Sequence, residues 1–362
     1  MKFNKKILVL WLIIILFAAV VSTVYFIFLK KPVSQSTNNQ IATIQKEASS
    51  IGCLGENEIV DYDRISLNPA ITQPKESSPM IFVKNKSTGE VIKSFQIENV
   101  RDSGYPMEVH KCNIYVNRTF NFDKGKGLPL PNYRSELWQY YYNGEAGKLL
   151  LVLFDFGKEN DLNINNDYSP IFRISDNEKN ISLIRGYLGK DNYALIIKDL
   201  KTLEDPLTLP ITDIEKRNPD LVDDISLDGW TKDSRYFWAR THSGANVLGF
   251  LRIDMQTKTF ELFPAPENVL GGDALNIEKG LITVHPGNVW YGIADVTEQE
   301  KAERRKQGMG TELYIENLLT KKREFVVKTN EPLYYFKPKW LSDTELQYEM
   351  PNGEKKIYKI NT

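Results

Sequence analysis

The chain has 362 residues, 41% of them hydrophobic and 11% aromatic, and its 46 basic and 47 acidic residues give a formal net charge of −1. A chain of this length is too long to fold around one ordinary hydrophobic core unless the fold is modular or barrel-like. The balanced charge lacks the concentrated basic surface that nucleic acid requires. The composition therefore predicts a folded, modular protein that does not bind nucleic acid.

The N-terminal region contains a long apolar segment, residues 7–29, without a single charge. As a helix it would be roughly 35 Å long, enough to cross a hydrocarbon core of about 30 Å. We predict a cytoplasmic tip at 1–6, an uncleaved transmembrane anchor at 7–29, a polar linker at 30–52 and an extracytoplasmic domain at 53–362. A cleaved signal peptide is the alternative, but the apolar run continues beyond the small residues near Ser22. The protein is thus predicted to be a single-pass protein of the cell membrane that contacts the lipid bilayer through its anchor.

One phrase recurs through the rest of the chain: an apolar residue, Asp or Asn four positions later, and Thr three positions after that. The clear copies are Ile81/Asn85/Thr88, Leu195/Asp199/Thr202, Phe250/Asp254/Thr257 and Leu313/Asn317/Thr320. Weaker copies begin at Leu137 and Ile357, so that successive copies are 44 to 63 residues apart. Each copy ends an apolar run typical of a buried strand, and the Asp or Asn can cap the turn that follows. Such a period is typical of a solenoid or a propeller.

Each unit offers about four antiparallel strands and no convincing long helix. Six such units predict an all-β fold, a six-bladed β-propeller in which each sheet packs on its neighbours. The last unit ends after its third strand, and we predict that residues 58–65 supply the missing outer strand. Five to seven blades remain open. A pair of β-sandwiches is the alternative, but it would not need a recurring period.

Three segments carry a resemblance to a known family. They are GWTKDSRYFWAR (229–240), GFLRIDMQTKTFELF (249–263) and PKWLSDTELQYEM (338–350). They resemble the repeats of TolB-like and WD-repeat-like six-bladed propellers over roughly residues 57–362. The resemblance implies the fold and does not imply an activity.

The order of strands in a unit sorts the loops onto two faces. The first-to-second and third-to-fourth turns are short and share one face, whereas the longer second-to-third loops share the other. Function tends to reside on such loops, so we predict a ligand face there with His242, His285 and Trp290 as candidates. Two histidines without a carboxylate at fixed spacing make a poor metal signature, and ordinary loop residues are the alternative.

One loop has side-chain oxygens at alternate positions. They belong to Asp161, Asn163, Asn165 and Asp167. This spacing resembles the first half of an EF-hand calcium loop. However, Asn166 stands where Gly is expected, and Phe172 stands where the closing Glu should be. Calcium is therefore the only cofactor candidate, and a polar loop is the alternative.

The two cysteines, Cys53 and Cys112, both lie in the predicted extracytoplasmic part. An even count in an oxidising compartment favours a disulfide. Such a bond would close a loop of about 60 residues and stabilise the fold by roughly 4 kcal/mol. Two separate buried thiols are the alternative.

An insertion at residues 296–310 lengthens one repeat. Thr297 and Glu300 predict a capping box, and Gly308 can end the helix in a left-handed conformation. The segment is nearly all charged, which favours a solvated helix over an element that docks a protein partner.

Catalytic motifs are absent: the sequence has no G-x-S-x-G, H-E-x-x-H, P-loop or G-x-G-x-x-G motif. We therefore favour a binding or scaffolding module for an envelope protein, peptide or glycan over an enzyme. A hydrolase or lyase with a site in the axial cavity is the alternative. An enzyme requires titratable groups from several blades to meet with displaced pKa values.

Overall fold

The computed structural model describes residues 53–62, 79–97, 107–123, 128–144, 147–155, 168–186, 193–221, 223–244, 246–266, 269, 274–286 and 297–360. The predicted cytoplasmic tip, transmembrane anchor and linker lie outside these residues. Within them, no helix combines the length and the apolar character needed to cross a bilayer. Residues Cys53–Thr362 form one compact unit.

The described residues form six antiparallel sheets in chain order. Sheet 1 contains β1 (Glu58–Tyr62), β2 (Met80–Asn85) and β3 (Val91–Gln96). Sheet 2 contains β4 (Met107–Val109), β5 (Asn113–Asp123), β6 (Leu128–Tyr141) and β7 (Lys148–Asp155). Sheet 3 contains β8 (Tyr168–Ile174), β9 (Asn180–Arg185), β10 (Ala194–Asp199) and β11 (Leu207–Pro210).

The second half of the unit continues the same pattern. Sheet 4 contains β12 (Asp224–Trp230), β13 (Tyr236–Ser243), β14 (Asn246–Asp254) and β15 (Thr259–Pro264). Sheet 5 contains β16 (Leu275–Asn276), β17 (Leu281–Val284), β18 (Thr311–Asn317) and β19 (Arg323–Thr329). Sheet 6 contains β20 (Lys339–Trp340), β21 (Glu345–Glu349) and β22 (Lys355–Lys359). Short helices occur at α1 (Ile211–Arg217) and α2 (Glu298–Lys306), with a 3₁₀ helix at Pro219–Leu221.

Buried apolar clusters join each sheet to the next. Representative pairs, from sheets 1 and 2 to sheets 5 and 6, are Ile81 with Ile114, Leu137 with Phe172, Leu195 with Phe237, Phe250 with Ile282, and Leu313 with Leu346. Within each sheet, every strand pairs with its neighbour in the chain. Six such sheets packed face to face in sequence make a six-bladed β-propeller. The predicted all-β, six-bladed propeller is confirmed, whereas the N-terminal transmembrane helix stays a prediction.

The recurring phrase forms the same turn in four sheets. In sheet 5, Oδ1 of Asn317 accepts the backbone N–H groups of Leu319 and Thr320, both at 2.9 Å. The N–H of Lys321 bonds to the carbonyl of Asn317 at 2.7 Å, and Lys321 takes a left-handed conformation with φ 59°. The same two N–H bonds are accepted by Asn85, Asp199 and Asp254. The predicted capping role is therefore confirmed.

Replacing Asn317 by Ala should lower the free energy of unfolding by about 1–2 kcal/mol, because two backbone N–H groups lose their acceptor. Urea unfolding of residues 53–362 measures the change. Lys321→Gly is the matched variant, since it relieves a left-handed conformation and should stabilise the same turn by roughly 0.5–1 kcal/mol. An unchanged midpoint for Asn317→Ala would show that the side chain does not hold this turn.

The predicted closure of the last sheet by residues 58–65 is wrong. Strand β1 instead pairs with β2 in sheet 1, with Glu58 opposite Asn85 and Tyr62 opposite Ile81. Val60 and Tyr62 pack against the apolar cluster between sheets 1 and 2, so this strand already has a buried face. Within the described part of the chain, sheet 6 keeps three strands.

The charged insertion is a capped surface helix, as predicted. Oγ1 of Thr297 accepts the N–H of Glu300 at 3.2 Å, and Gly308 follows the helix with φ 72°. Helix α2 has no buried residue. Arg305 ties it to the body of sheet 5 by an ion pair of 2.5 Å to Glu331.

Candidate functional site

Charged side chains gather where the first strands of the sheets end. Strands β8 and β12, the first strands of sheets 3 and 4, contact each other, which places first strands toward the centre of the propeller. We call the following set the turn-face cluster: Glu108 and His110 of sheet 2, Arg173 and Asp176 of sheet 3, Asp228 and Lys232 of sheet 4, Glu278 of sheet 5 and Asp343 of sheet 6. Five sheets thus contribute titratable groups to one end of the propeller.

The inner part of this cluster is a chain of charges that crosses three sheets. Glu108 pairs with Arg173 at 3.3 Å and accepts the backbone N–H of Ile174 at 2.6 Å. Nε of Arg173 donates to the carbonyl of Asp228 at 3.0 Å, and Asp228 accepts Nε of Arg240 at 2.8 Å. Each charged side chain in this row is at most 16% exposed. The ion pairs therefore work in a medium of low polarity and hold the first strands in register.

Asp228 is the carboxyl of this chain of charges whose pKa burial raises most clearly. Burial raises the pKa of its carboxyl, and the guanidinium of Arg240 opposes that rise. One oxygen, Oδ2, is buried without a hydrogen-bond partner among the described residues. Removing its cationic neighbour Arg240 would leave a carboxylate with little access to water.

The outer part of the cluster centres on Lys232. Its backbone N–H donates to Glu278 at 2.7 Å, and its Nζ donates to Asp343 at 2.8 Å. The side chain of Asn276 bonds to the carbonyl of Asp343 at 3.1 Å. Lys232 thus links sheet 4 to sheet 6 past the intervening sheet 5.

Besides Asp228, two carboxyl groups of the cluster have raised pKa values. Burial is the main cause for Asp176, and the charges of His110 and Lys232 partly offset the rise. Burial also raises the pKa of Glu278, and the hydrogen bond from the backbone N–H of Lys232 partly offsets this rise. The hydrogen bond to Asp343 raises the pKa of Lys232, which keeps its ammonium charged. The face therefore presents both charge signs, with three carboxyls, Asp176, Asp228 and Glu278, that accept a proton more readily than usual.

The predicted ligand-face histidines lie at the opposite end, where the second strands finish. Nε2 of His242 is 2.6 Å from Oγ of Ser226, and burial lowers the pKa of this histidine. His285 follows β17, is fully buried, and packs its ring on Tyr335 and Phe336 with centroids 5.2 and 5.8 Å away. The partners of the two histidines differ: His242 contacts a serine of its own sheet, whereas His285 packs against aromatic rings.

Several predicted site residues lie outside the described part of the chain. They are Trp290 and the calcium candidates Asp161, Asn163, Asn165 and Asp167. Among the residues that the structure describes, no group of three or more His, Cys, Asp or Glu side chains could hold a metal ion.

Sequence reasoning misses the turn-face cluster, because the long loops and not the short turns are expected to carry function. A signal was nevertheless present. The first-to-second turn carries a charged residue in each of four successive units, at Asp176, Lys232, Glu278 and Asp343. The corresponding turns of successive blades lie at one end of the propeller, so a charge in each of them indicates that charged side chains gather there.

A disulfide between Cys53 and Cys112 lies at the edge of this region. The N–H of Leu54 bonds to the carbonyl of Lys111 at 2.8 Å, and the N–H of Cys112 donates to Glu178 of sheet 3 at 3.3 Å. The bond therefore fixes the beginning of the domain beside the first turn of sheet 2.

Comparison with known proteins gives structural likeness without sequence kinship. No family model and no curated protein match the chain. TolB from Acinetobacter baumannii is 11% identical over 84% of this chain and 64% of that one, with a TM-score of 0.42. The β-propeller domain of the Trilobed protease from Pyrococcus furiosus is 13% identical over 70% of this chain and 67% of that one, with a TM-score of 0.42. An oligogalacturonate lyase in complex with manganese is 9% identical over 78% of this chain and 73% of that one, with a TM-score of 0.43.

The chain spans about two thirds of the length of the first two of these proteins. Likeness at this level assigns neither a family nor an activity to the chain. A TolB protein is among the similar structures, whereas the relation to WD-repeat-like propellers stays a prediction.

Proposed function

We propose that this protein is a membrane-anchored, extracytoplasmic propeller that binds a charged protein, peptide or glycan of the cell envelope through the turn-face cluster. One observation carries the proposal: side chains of both charge signs, drawn from five sheets, converge on one end of the propeller and are held there by ion pairs between and within sheets. Most of their charges are already engaged in pairs between sheets, such as Lys232 with Asp343 and Arg173 with Glu108. Such a rigid surface of mixed charge is suited to recognition, because its groups are oriented before the ligand arrives.

The anchor is the part of this proposal that rests on sequence alone. Residues 7–29 provide an uncharged segment long enough for a bilayer, with lysines on both sides. A polar linker then separates it from the domain. In this arrangement the propeller works at a short distance from the membrane surface and meets ligands of the envelope.

Site-specific photo-crosslinking in intact cells tests the binding role. A benzophenone side chain at Lys279, beside the cluster, should give a defined crosslinked product, whereas the same group at exposed Lys258, in the outer turn of sheet 4, should not. The variant Lys232→Glu should reduce the product roughly tenfold, because a charge that faces the ligand is reversed. Identical products from both positions, or none from either, would count against the proposal.

A charge-swapped pair is the matched control. In the double variant Lys232→Glu with Asp343→Lys, the ion pair between sheets 4 and 6 can form again with its polarity reversed. A ligand that is recognised through the charges at these two positions will still fail to crosslink to the double variant. Recovery of the product in the double variant would instead assign Lys232 a purely structural role.

A hydrolase or lyase is the second candidate function. It is favoured by the raised pKa values of Asp176 and Glu278, because a carboxyl that holds its proton can serve as a general acid. The variant Asp176→Asn separates the two functions. If the protein is an enzyme, Asp176→Asn stops turnover of the crosslinked ligand class while the crosslink persists. If the protein is a binding module, no turnover is seen even with Asp176 in place.

A further inference from the structure

The outer edge of sheet 6 differs from the same edge of the preceding sheets. In sheets 2 to 5 the third strand pairs with a fourth strand on its outer side. In sheet 6 the third strand is β22, which pairs only with β21 among the described residues. A strand edge of this kind presents backbone donors and acceptors to any chain that can lie beside it.

The register identifies the backbone groups that face outward. The N–H of Ile360 bonds to the carbonyl of Thr344 at 2.9 Å, so these two residues form a hydrogen-bonded pair across β21 and β22. Paired and unpaired positions alternate along an antiparallel ladder. The groups that point away from β21 therefore belong to Lys355, Ile357 and Lys359.

The side chains of these three residues also share one face of the sheet. Tyr358, between them, packs toward sheet 5 with its hydroxyl on Glu324, so its neighbours in the strand face the other way. Ile357 is 52% exposed. The outward edge thus offers a lysine, an exposed apolar side chain and a second lysine at alternate positions.

Strand β21 already shows that acidic side chains suit the positions opposite the two lysines of this row. Opposite Lys355, Ile357 and Lys359 stand Glu349, Gln347 and Glu345. Lys359 forms an ion pair with Glu345 at 3.0 Å. A second strand on the free side would meet the same row, and opposite charges directly across a strand pair stabilise it.

We propose that the outer edge of β22 accepts an extended acidic segment of a partner protein as the fourth strand of sheet 6. The segment carries acidic residues opposite Lys355 and Lys359 and an apolar residue opposite Ile357. Backbone bonds to the three outward positions supply affinity, and the alternating side chains supply selectivity. The same strand of a second copy is a poor occupant, because its lysines would meet lysines. This inference is independent of the turn-face cluster.

The lysines also explain how the edge avoids indiscriminate pairing. Exposed strand edges in natural proteins carry lysines that repel other edges. An acidic segment converts that repulsion into attraction. The edge is therefore selective for charge and is not merely open.

The test uses the full chain in detergent and a fluorescent peptide, GSETVTEGS, with blocked ends. Fluorescence anisotropy should show saturable binding, and the lysine peptide GSKTVTKGS should not bind. The variant Ile357→Pro removes an outward N–H and leaves the bonds to β21 intact, because proline is tolerated on a free edge. We expect it to bind the acidic peptide about tenfold more weakly than the control Ile357→Val.

Amide exchange provides the second measurement. Without peptide, the amide of Ile357 should exchange rapidly and that of Tyr358 slowly, and the acidic peptide should slow the exchange of Ile357 about tenfold. If Ile357→Pro fails to fold, peptides N-methylated on alternate residues replace it as the test of backbone pairing. Equal binding by the Pro and Val variants, or by methylated and unmethylated peptides, would overturn the proposal. So would an Ile357 amide that is protected before any peptide is added, since the edge would then be occupied already.

Discussion

Replacing both Cys53 and Cys112 by Ser should lower the free energy of unfolding of residues 53–362 by about 4 kcal/mol. The two cysteines are 59 positions apart, so the bond closes a long loop in the unfolded chain. That loop contains all of sheet 1, which packs on sheet 2 through one apolar cluster. Urea unfolding at equilibrium measures the loss as a shift of the midpoint.

Reduction of the unaltered chain is the control for this experiment. Dithiothreitol removes the covalent link and keeps the sulfur atoms, so it should reproduce most of the shift of the double Ser variant. The single variants Cys53→Ser and Cys112→Ser should match the double variant, because either one breaks the bond. A shift below about 1 kcal/mol would mean that loop closure contributes little, and that the bond of Leu54 to Lys111 already fixes the segment.

The sequence predicted those features whose cause lies within a few residues. The turn at Asn317 depends on a side-chain oxygen that reaches backbone groups two and three positions onward, and its phrase recurs in readable form. The cap of α2 at Thr297 follows the same logic. Local hydrogen bonds of this kind leave a fixed spacing in the sequence, and repetition across blades makes the spacing visible.

Features that depend on contacts between distant segments were predicted poorly. The pattern of β1 is compatible with any free strand edge, and only the packing of Val60 and Tyr62 beside sheet 2 decides its partner. The turn-face cluster is similar, because Lys232 and Asp343 are 111 positions apart and sit in turns of ordinary composition. The long loops predict a ligand face at the opposite end, which stays a prediction; His285, one of its candidates, is fully buried.

Replacing Arg240 by Met should lower the free energy of unfolding by about 3–4 kcal/mol, among the largest effects of any single substitution in this chain. Arg240 is 11% exposed and Asp228 is 15% exposed, so the variant leaves a carboxylate with little access to water. Methionine keeps apolar contact with the ring of Phe250, over which the guanidinium now lies at 5.6 Å. The double variant with Asp228→Asn should recover more than half of the loss, and the four proteins form a double-mutant cycle.

The pH dependence identifies the cause of that loss. Burial raises the pKa of Asp228 in the folded state, and removal of Arg240 raises it further. A carboxyl with a raised folded-state pKa favours the folded protein when protonated, and this contribution disappears as the pH rises through that pKa. The deficit of Arg240→Met should therefore be smaller at about pH 4.5 than at about pH 7.5. Equal deficits at both values would assign the loss to packing over Phe250 and not to a stranded charge.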